Sequence, residues 1–152
     1  MTTATTGEEP MALAAARLRA AGMRVTAQRM AMLMTISESA GHLEADALRE
    51  RARRVTGGLS LQATYNVLRA LTDAGLVRCT LIPGHPARYE IEHHDNHHHF
   101  VCRRCGAVRD VTCTVGAAPC LEPQLPQEYD IKEAAVTFWG LCPDCRAATP
   151  AT

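Results

Sequence analysis

Two Cys-x-x-Cys pairs, Cys102 with Cys105 and Cys142 with Cys145, stand 36 residues apart in a chain of 152. Each pair brackets a tight turn, "RRCG" or "PDCR", that can point two thiolates at one ion. Four thiolates satisfy the tetrahedral, borderline-soft preference of zinc and leave no coordination position open. The spacing therefore predicts a structural Zn2+ that ties the end of the chain to the start of a small domain. Buried or redox cysteines are the other reading of the same pattern. A disulfide framework fits poorly. The apolar stretch from Met11 to Ala21 is cut by Arg17 and Arg19 and lacks a basic leader, and no run of about 18 apolar residues could span a membrane. A cytoplasmic protein with reduced thiols and no membrane partner is expected.

The two halves differ in grammar. Residues 1 to 8 are small and polar and are expected to be disordered. Residues 9–91 read as helices followed by a hairpin. The first helix runs from Met11 to Ala21 and ends at Gly22. Thr26 caps a second that reaches about Ser39, with Met30, Leu33 and Met34 inward. A third, Leu43 to Arg54, should bury Leu43, Ala47 and Leu48 and expose Glu44, Arg49, Arg51 and Arg53. Ser60 caps the fourth, where Leu61, Thr64, Val67, Leu68 and Leu71 form a core-facing stripe. "LVRCTL" and "ARYEI" then pair around the turn "PGHP".

On the fourth helix Gln62, Tyr65, Asn66 and Arg69 share a second face. Those side chains can hydrogen-bond base edges or phosphates, whereas a merely solvated helix more typically carries Glu and Lys. A polar-faced last helix followed by a hairpin describes a winged helix-turn-helix bound to double-stranded DNA, with Arg24 and Arg29 as phosphate contacts. A small α+β domain with no DNA role is the alternative. Charge agrees with the first reading: the formal net charge is zero, yet residues 1–91 carry +3 and residues 92–152 carry −3.

Beyond Ile91, "HHHFVC", "AVRDV" and "AAVTFWGL" read as strands of a second domain, 92–152, with a hinge at 84–96. Alternation puts His97 and His99 on one face of the first strand and His98 on the other. Asp110 on the next strand can add a carboxylate. Imidazole with carboxylate suits Fe(II), Mn(II), Zn(II) or Ni(II), and a solvent-facing polar strand is the plain alternative. A metalloenzyme with an open position, or a loose metal buffer, would use the same histidines.

The segments "RVTAQR", "SLQATYNVLRALTDAGLV", "HHHFVCRRCG" and "LCPDC" occur in an order that closely resembles the ferric uptake regulator (Fur) superfamily of metal-dependent repressors. "DNHHHFVCRRCG" and "CTVGAAPCL", with "WGLCPDC", are similar to its actinobacterial, peroxide-responsive FurA/CatR type. The resemblance implies an α+β fold, a winged helix-turn-helix domain and then a small α/β dimerisation domain with a four-cysteine zinc site. It implies a homodimeric, non-enzymatic repressor on an inverted-repeat operator, without a small-molecule substrate and with catalase genes as targets. It also implies one regulatory ion, Fe2+ or Mn2+, held by His42, Glu90, His97, His99 and Asp110; Zn2+ or Ni2+ can occupy such a site in vitro. An aspartate at position 110 goes with peroxide sensing in that family and a glutamate with iron sensing. Sensing would proceed by oxidation of His42 or His97, with a Cys113–Cys120 thiol pair as the rival. A further metal site of many relatives is expected to be absent here, because Asn96 and Ala134 stand at its histidine positions. Prolines 119, 123 and 126 interrupt a segment that is helical in many relatives.

Overall fold

A computed structural model describes residues 8–39, 41–95, 97–113, 124–131 and 134–148. The chain divides into two compact units, Met1–Glu92 and His93–Thr152.

The first unit has four helices and a hairpin: α1 (Glu8–Ala20), α2 (Ala27–Ser37), α3 (Ala45–Thr56), α4 (Leu61–Asp73), β1 (Val77–Thr80) and β2 (Arg88–Ile91). Thr26 and Ser60 are N-caps as their sequence positions suggest. The Thr26 hydroxyl accepts from the Arg29 N–H and that of Ser60 from the Ala63 N–H, satisfying donors that a helix start leaves without partners. The core is built from Leu18 of α1, Met32, Leu33 and Ile36 of α2, Leu48 of α3, Leu68 and Leu71 of α4, and Val77 of β1. Each such side chain contributes about 1.5–3 kcal/mol through burial.

Several expected details are corrected. Helix α1 begins at Glu8, inside the stretch read as disordered. Leu43 is not helical: its N–H and carbonyl bond to the Tyr89 carbonyl and N–H, so residues around it run beside β2. Ala45 and Ala52, not Ala47, join Leu48 in the core, because positions i, i+3 and i+7 of a helix share one face and Ala47 falls off it. Met30 and Met34 are only partly buried, and Leu61, at the first turn of α4, is 46% exposed. Glu44 and Arg49 are not simply solvated. Glu44 pairs with Arg88, and the Arg49 Nε donates to the Leu59 carbonyl at 3.0 Å.

The second unit holds β3 (His97–Cys102), β4 (Val108–Thr112), β5 (Thr137–Gly140) and the one-turn α5 (Pro143–Ala147). Its sheet has the order β4-β3-β5, with β3 antiparallel to β4 and parallel to β5. The third strand is shorter than "AAVTFWGL" suggests. Gly140 meets the Phe100 ring, which a Cβ would approach to 3.0 Å, so any larger residue here must displace that ring. The expectations for the N-terminal seven residues, Asn96, Pro119, Cys120 and Pro123 lie outside the described residues.

Candidate metal centres and nucleic-acid face

The parallel pairing of β3 and β5 brings the two Cys-x-x-Cys pairs to one end of the sheet. Cys102, the last residue of β3, is in register with Gly140, the last of β5, and Cys142 follows as the N-cap of α5. The first pair turns on Gly106, whose φ of 68° lies where only glycine is unstrained; its N–H donates to the Cys102 carbonyl at 2.9 Å. All four sulfur atoms lie within 4.8 Å of one another, and Cys105 Sγ is 3.7 Å from Cys142 Sγ. A tetrahedron with Zn–S bonds of ~2.3 Å has edges of ~3.8 Å, so the donor set fits this ion.

The electrostatics agree. Backbone N–H groups of Cys105 and Cys142 aim at Cys102 and lower its thiol to about 6. Hydrogen bonding to the Cys142 thiol, with burial and the other sulfurs, pushes Cys145 up to about 12. Four thiols this crowded oppose one another's ionisation, a conflict of like charges in one small volume. A divalent ion removes that conflict. Beside the cluster, the Arg104 guanidinium donates to the Cys145 carbonyl at 3.3 Å, and that of Arg103 lies 5.2 Å from the Trp139 ring centroid.

The oxygen and nitrogen donors fall into two groups, one in each unit. In the first unit, the antiparallel contact of Leu43 with Tyr89 sets residues 42 and 44 against the flanking residues of β2. His42 Nε2 consequently sits 2.8 Å from Glu90 Oε2, both side chains being almost fully buried. In the second unit, β3 and β4 set His99 opposite Asp110, with 3.8 Å between Nε2 and Oδ1. The His97 and His99 rings are edge to face, with centroids 5.0 Å apart, so they share a face as the alternation requires. His98 and His99 are buried, which removes the solvent-facing reading of this strand. Asp95, which motif reading missed, hydrogen-bonds His97 Nδ1; that ring holds the Asp95 carboxyl below the usual carboxylate range. Each group mixes imidazole with carboxylate, a donor set suited to Fe(II) or Mn(II) and unlike the thiolate cluster.

Cys79 forms no disulfide with another described cysteine. Cys79 faces Tyr89 across the hairpin, and burial raises its thiol, which makes it a poor nucleophile.

Gln62, Tyr65, Asn66 and Arg69 are all exposed on α4, opposite the buried Thr64, Val67, Leu68 and Leu71. The Gln62 amide donates to Asn66 Oδ1 at 3.0 Å, and Arg69 lies 4.0 Å from Asp73. Arg24 is exposed at the entry to α2, where its carbonyl accepts from the Arg29 guanidinium at 2.8 Å, so one Arg29 N–H is already engaged.

The model of the ferric uptake regulator family matches residues 20–119. A transcriptional regulator FurA of Mycobacterium tuberculosis is 46% identical over 131 residues, covering 86% of this chain and 88% of that protein. The chain belongs to the ferric uptake regulator family. A peroxide-responsive repressor PerR of Staphylococcus epidermidis is 29% identical, covering 86% of this chain and 87% of its own. The Fur structure of Helicobacter pylori, described as having three functional metal-binding sites, matches with a TM-score of 0.68 at 17% identity, covering 96% and 97% of the two chains. The fold is thus a winged helix-turn-helix domain followed by an α/β domain with a four-cysteine cluster. The relatives are named as regulators and not as enzymes, which sets the metalloenzyme alternative aside.

Proposed function

We propose that this chain is a metal-dependent transcriptional repressor that binds an inverted-repeat operator in double-stranded DNA as a homodimer and responds to peroxide. The observation that carries this reading is the presence of two chemically distinct donor sets in one family member. One is a closed quartet of thiols; the other consists of His42 with Glu90 and of His99 with Asp110, the His97 ring lying against that of His99. The quartet would hold a structural Zn2+ permanently. The imidazole and carboxylate groups would share one exchangeable Fe2+ or Mn2+. An ion drawing ligands from both units restricts their relative freedom, and in a two-fold dimer that freedom decides whether two recognition helices fit two half-sites. Metal affinity and DNA affinity are then reciprocally linked. Gln62, Tyr65, Asn66 and Arg69 would read bases, with Arg24 and Arg29 on phosphates.

Asp110 favours peroxide as the signal, because the resembling peroxide sensors carry aspartate there. Fe(II) held by these residues would activate peroxide, so that one peroxide oxygen goes to a histidine ring carbon and the other leaves as water. The imidazole of His42 or His97, once it gains an oxygen on a ring carbon, is a poorer donor, and the shared ligand set then comes apart. Mass spectrometry after exposing the Fe(II) protein to peroxide should find one added oxygen on a peptide containing His42 or His97. An unmodified protein that still leaves DNA contradicts this mechanism. If the Cys113→Ser and Cys120→Ser proteins keep the response, thiol sensing is excluded. An iron-homeostasis role is the second reading, favoured by the family model itself. It predicts release of operator DNA on Fe(II) withdrawal and indifference to peroxide when Fe(II) is saturating.

A further inference from the structure

The chain enters β3 through an unusual turn. His94 has φ of 53°, and it is the non-glycine residue with positive φ among the described residues. A side-chain-bearing residue is held in the left-handed region only where the surrounding structure requires it, and such positions cluster at functional sites. Here the consequence is local: the turn carries Asp95 back over the start of the strand, where its carboxylate meets His97 Nδ1. The His97 side chain is 11% exposed while that of Asp95 is 56% exposed. An exposed acid thus reaches inward to a nearly buried ring.

The chemistry of that contact is directional. An ionised carboxylate only accepts, so Nδ1 carries the proton, and in the neutral ring Nε2 then carries the lone pair. A ligating histidine requires that arrangement: one nitrogen donates to an outer carboxylate, fixing tautomer and ring orientation, and the other is left basic for the ion. Glu90 and Asp110, which lie beside His42 and His99, belong to the ligand set itself. Asp95 does not. We propose that Asp95 is a positioning residue of the regulatory site, held by the left-handed His94 so that its carboxylate fixes His97 as an Nε2 donor. The proposal rests on the reading of His97 as a regulatory ligand.

The test uses the full-length, zinc-loaded protein titrated with Mn(II), comparing native, Asp95→Ala, Asp95→Asn and His97→Ala chains. Loss of an outer carboxylate typically lowers metal affinity about 10- to 100-fold. Asp95→Ala should show a loss of that order at unchanged zinc content and circular dichroism. Asp95→Asn keeps an acceptor oxygen in place and should recover part of it. Long-range nitrogen–proton NMR should show His97 as the Nδ1–H tautomer in the native chain and as a mixture in Asp95→Ala, a change that a purely structural role would not produce. Native affinity in Asp95→Ala, or an unchanged His97 tautomer, overturns the proposal. Native Mn(II) affinity in His97→Ala instead overturns the ligand reading beneath it, so the two failures are distinct.

Discussion

Replacing Cys142 with serine should unfold the second unit while leaving the first intact. Among the described residues, the first unit buries a long series of apolar side chains, Leu18, Met32, Leu33, Leu48, Leu68 and Leu71 included. Among the described residues of the second unit, the buried apolar side chains are Val101 and Cys102, and Cys102 is itself one of the quartet. One buried valine contributes about 1.5–3 kcal/mol. Ordering the backbone costs about 1–2 kcal/mol per residue, which this described core does not offset by itself. A four-thiolate zinc contributes about 10–16 kcal/mol in small modules and would outweigh that one valine several-fold. Removing one ligand of four should cost several kcal/mol, a large part of the 5–15 kcal/mol typical of a folded domain. Trp139 is the chain's one tryptophan and lies in β5, so its fluorescence reports on the second unit. Far-ultraviolet circular dichroism reports mainly on the helices of the first. Cys142→Ser, or the native protein with zinc chelated, should lose the Trp139 transition and keep the helical melt. A Trp139 transition within about 1 kcal/mol of native would refute a structural role for the ion.

Leu68→Ala should destabilise the first unit by about 2–5 kcal/mol in chemical denaturation, since Leu68 is wholly buried on α4. Tyr65→Ala, on the exposed face of the same helix, should change stability by no more than about 0.5 kcal/mol yet weaken specific operator binding more than nonspecific binding in salt-controlled gel shifts. Gly140→Ala should destabilise the sheet by about 1–3 kcal/mol, read from Trp139 fluorescence, because its Cβ would stand 3.0 Å from the Phe100 ring. Burial first, and the neighbouring Cys79 second, push the Tyr89 phenol up to about 12 from 10. Its neutral form is thus the one the fold favours. The stabilisation should be complete below pH 10 and fade as pH rises through about 12, a loss that chemical denaturation should show for the native chain and not for Tyr89→Phe.

What the sequence revealed was whatever depends on near neighbours. Two thiols three residues apart, a serine ahead of an apolar stripe, and alternate histidines on a strand are all governed by fixed local geometry, and each recurs in the structure. Contacts between distant segments were less accessible. Nothing in the periodicity of α3 separates Leu43 from the helix, because the competing partner, Tyr89, is 46 residues away. That same contact brings His42 to Glu90, a pair that only family resemblance could nominate. Asp95 offered a usable hint that went unread, an acid two residues before a candidate ligand at a strand entrance. Its significance depends on the left-handed backbone at His94, which composition does not encode.

Strand β3 begins at His97 and ends at Cys102, so one short segment serves both donor sets. This has a consequence for the order of events as the protein is made. The ribosome delivers His97, His99 and Cys102 well before β5 and Cys142, yet β3 gains its parallel neighbour only when those later residues arrive. On the function proposed, zinc capture would close that pairing, and until then the histidines would stand on a strand supported from one side. A cell short of zinc would accumulate newly made chains unable to take up the second ion, and its repression would fail for want of a metal that is not the signal.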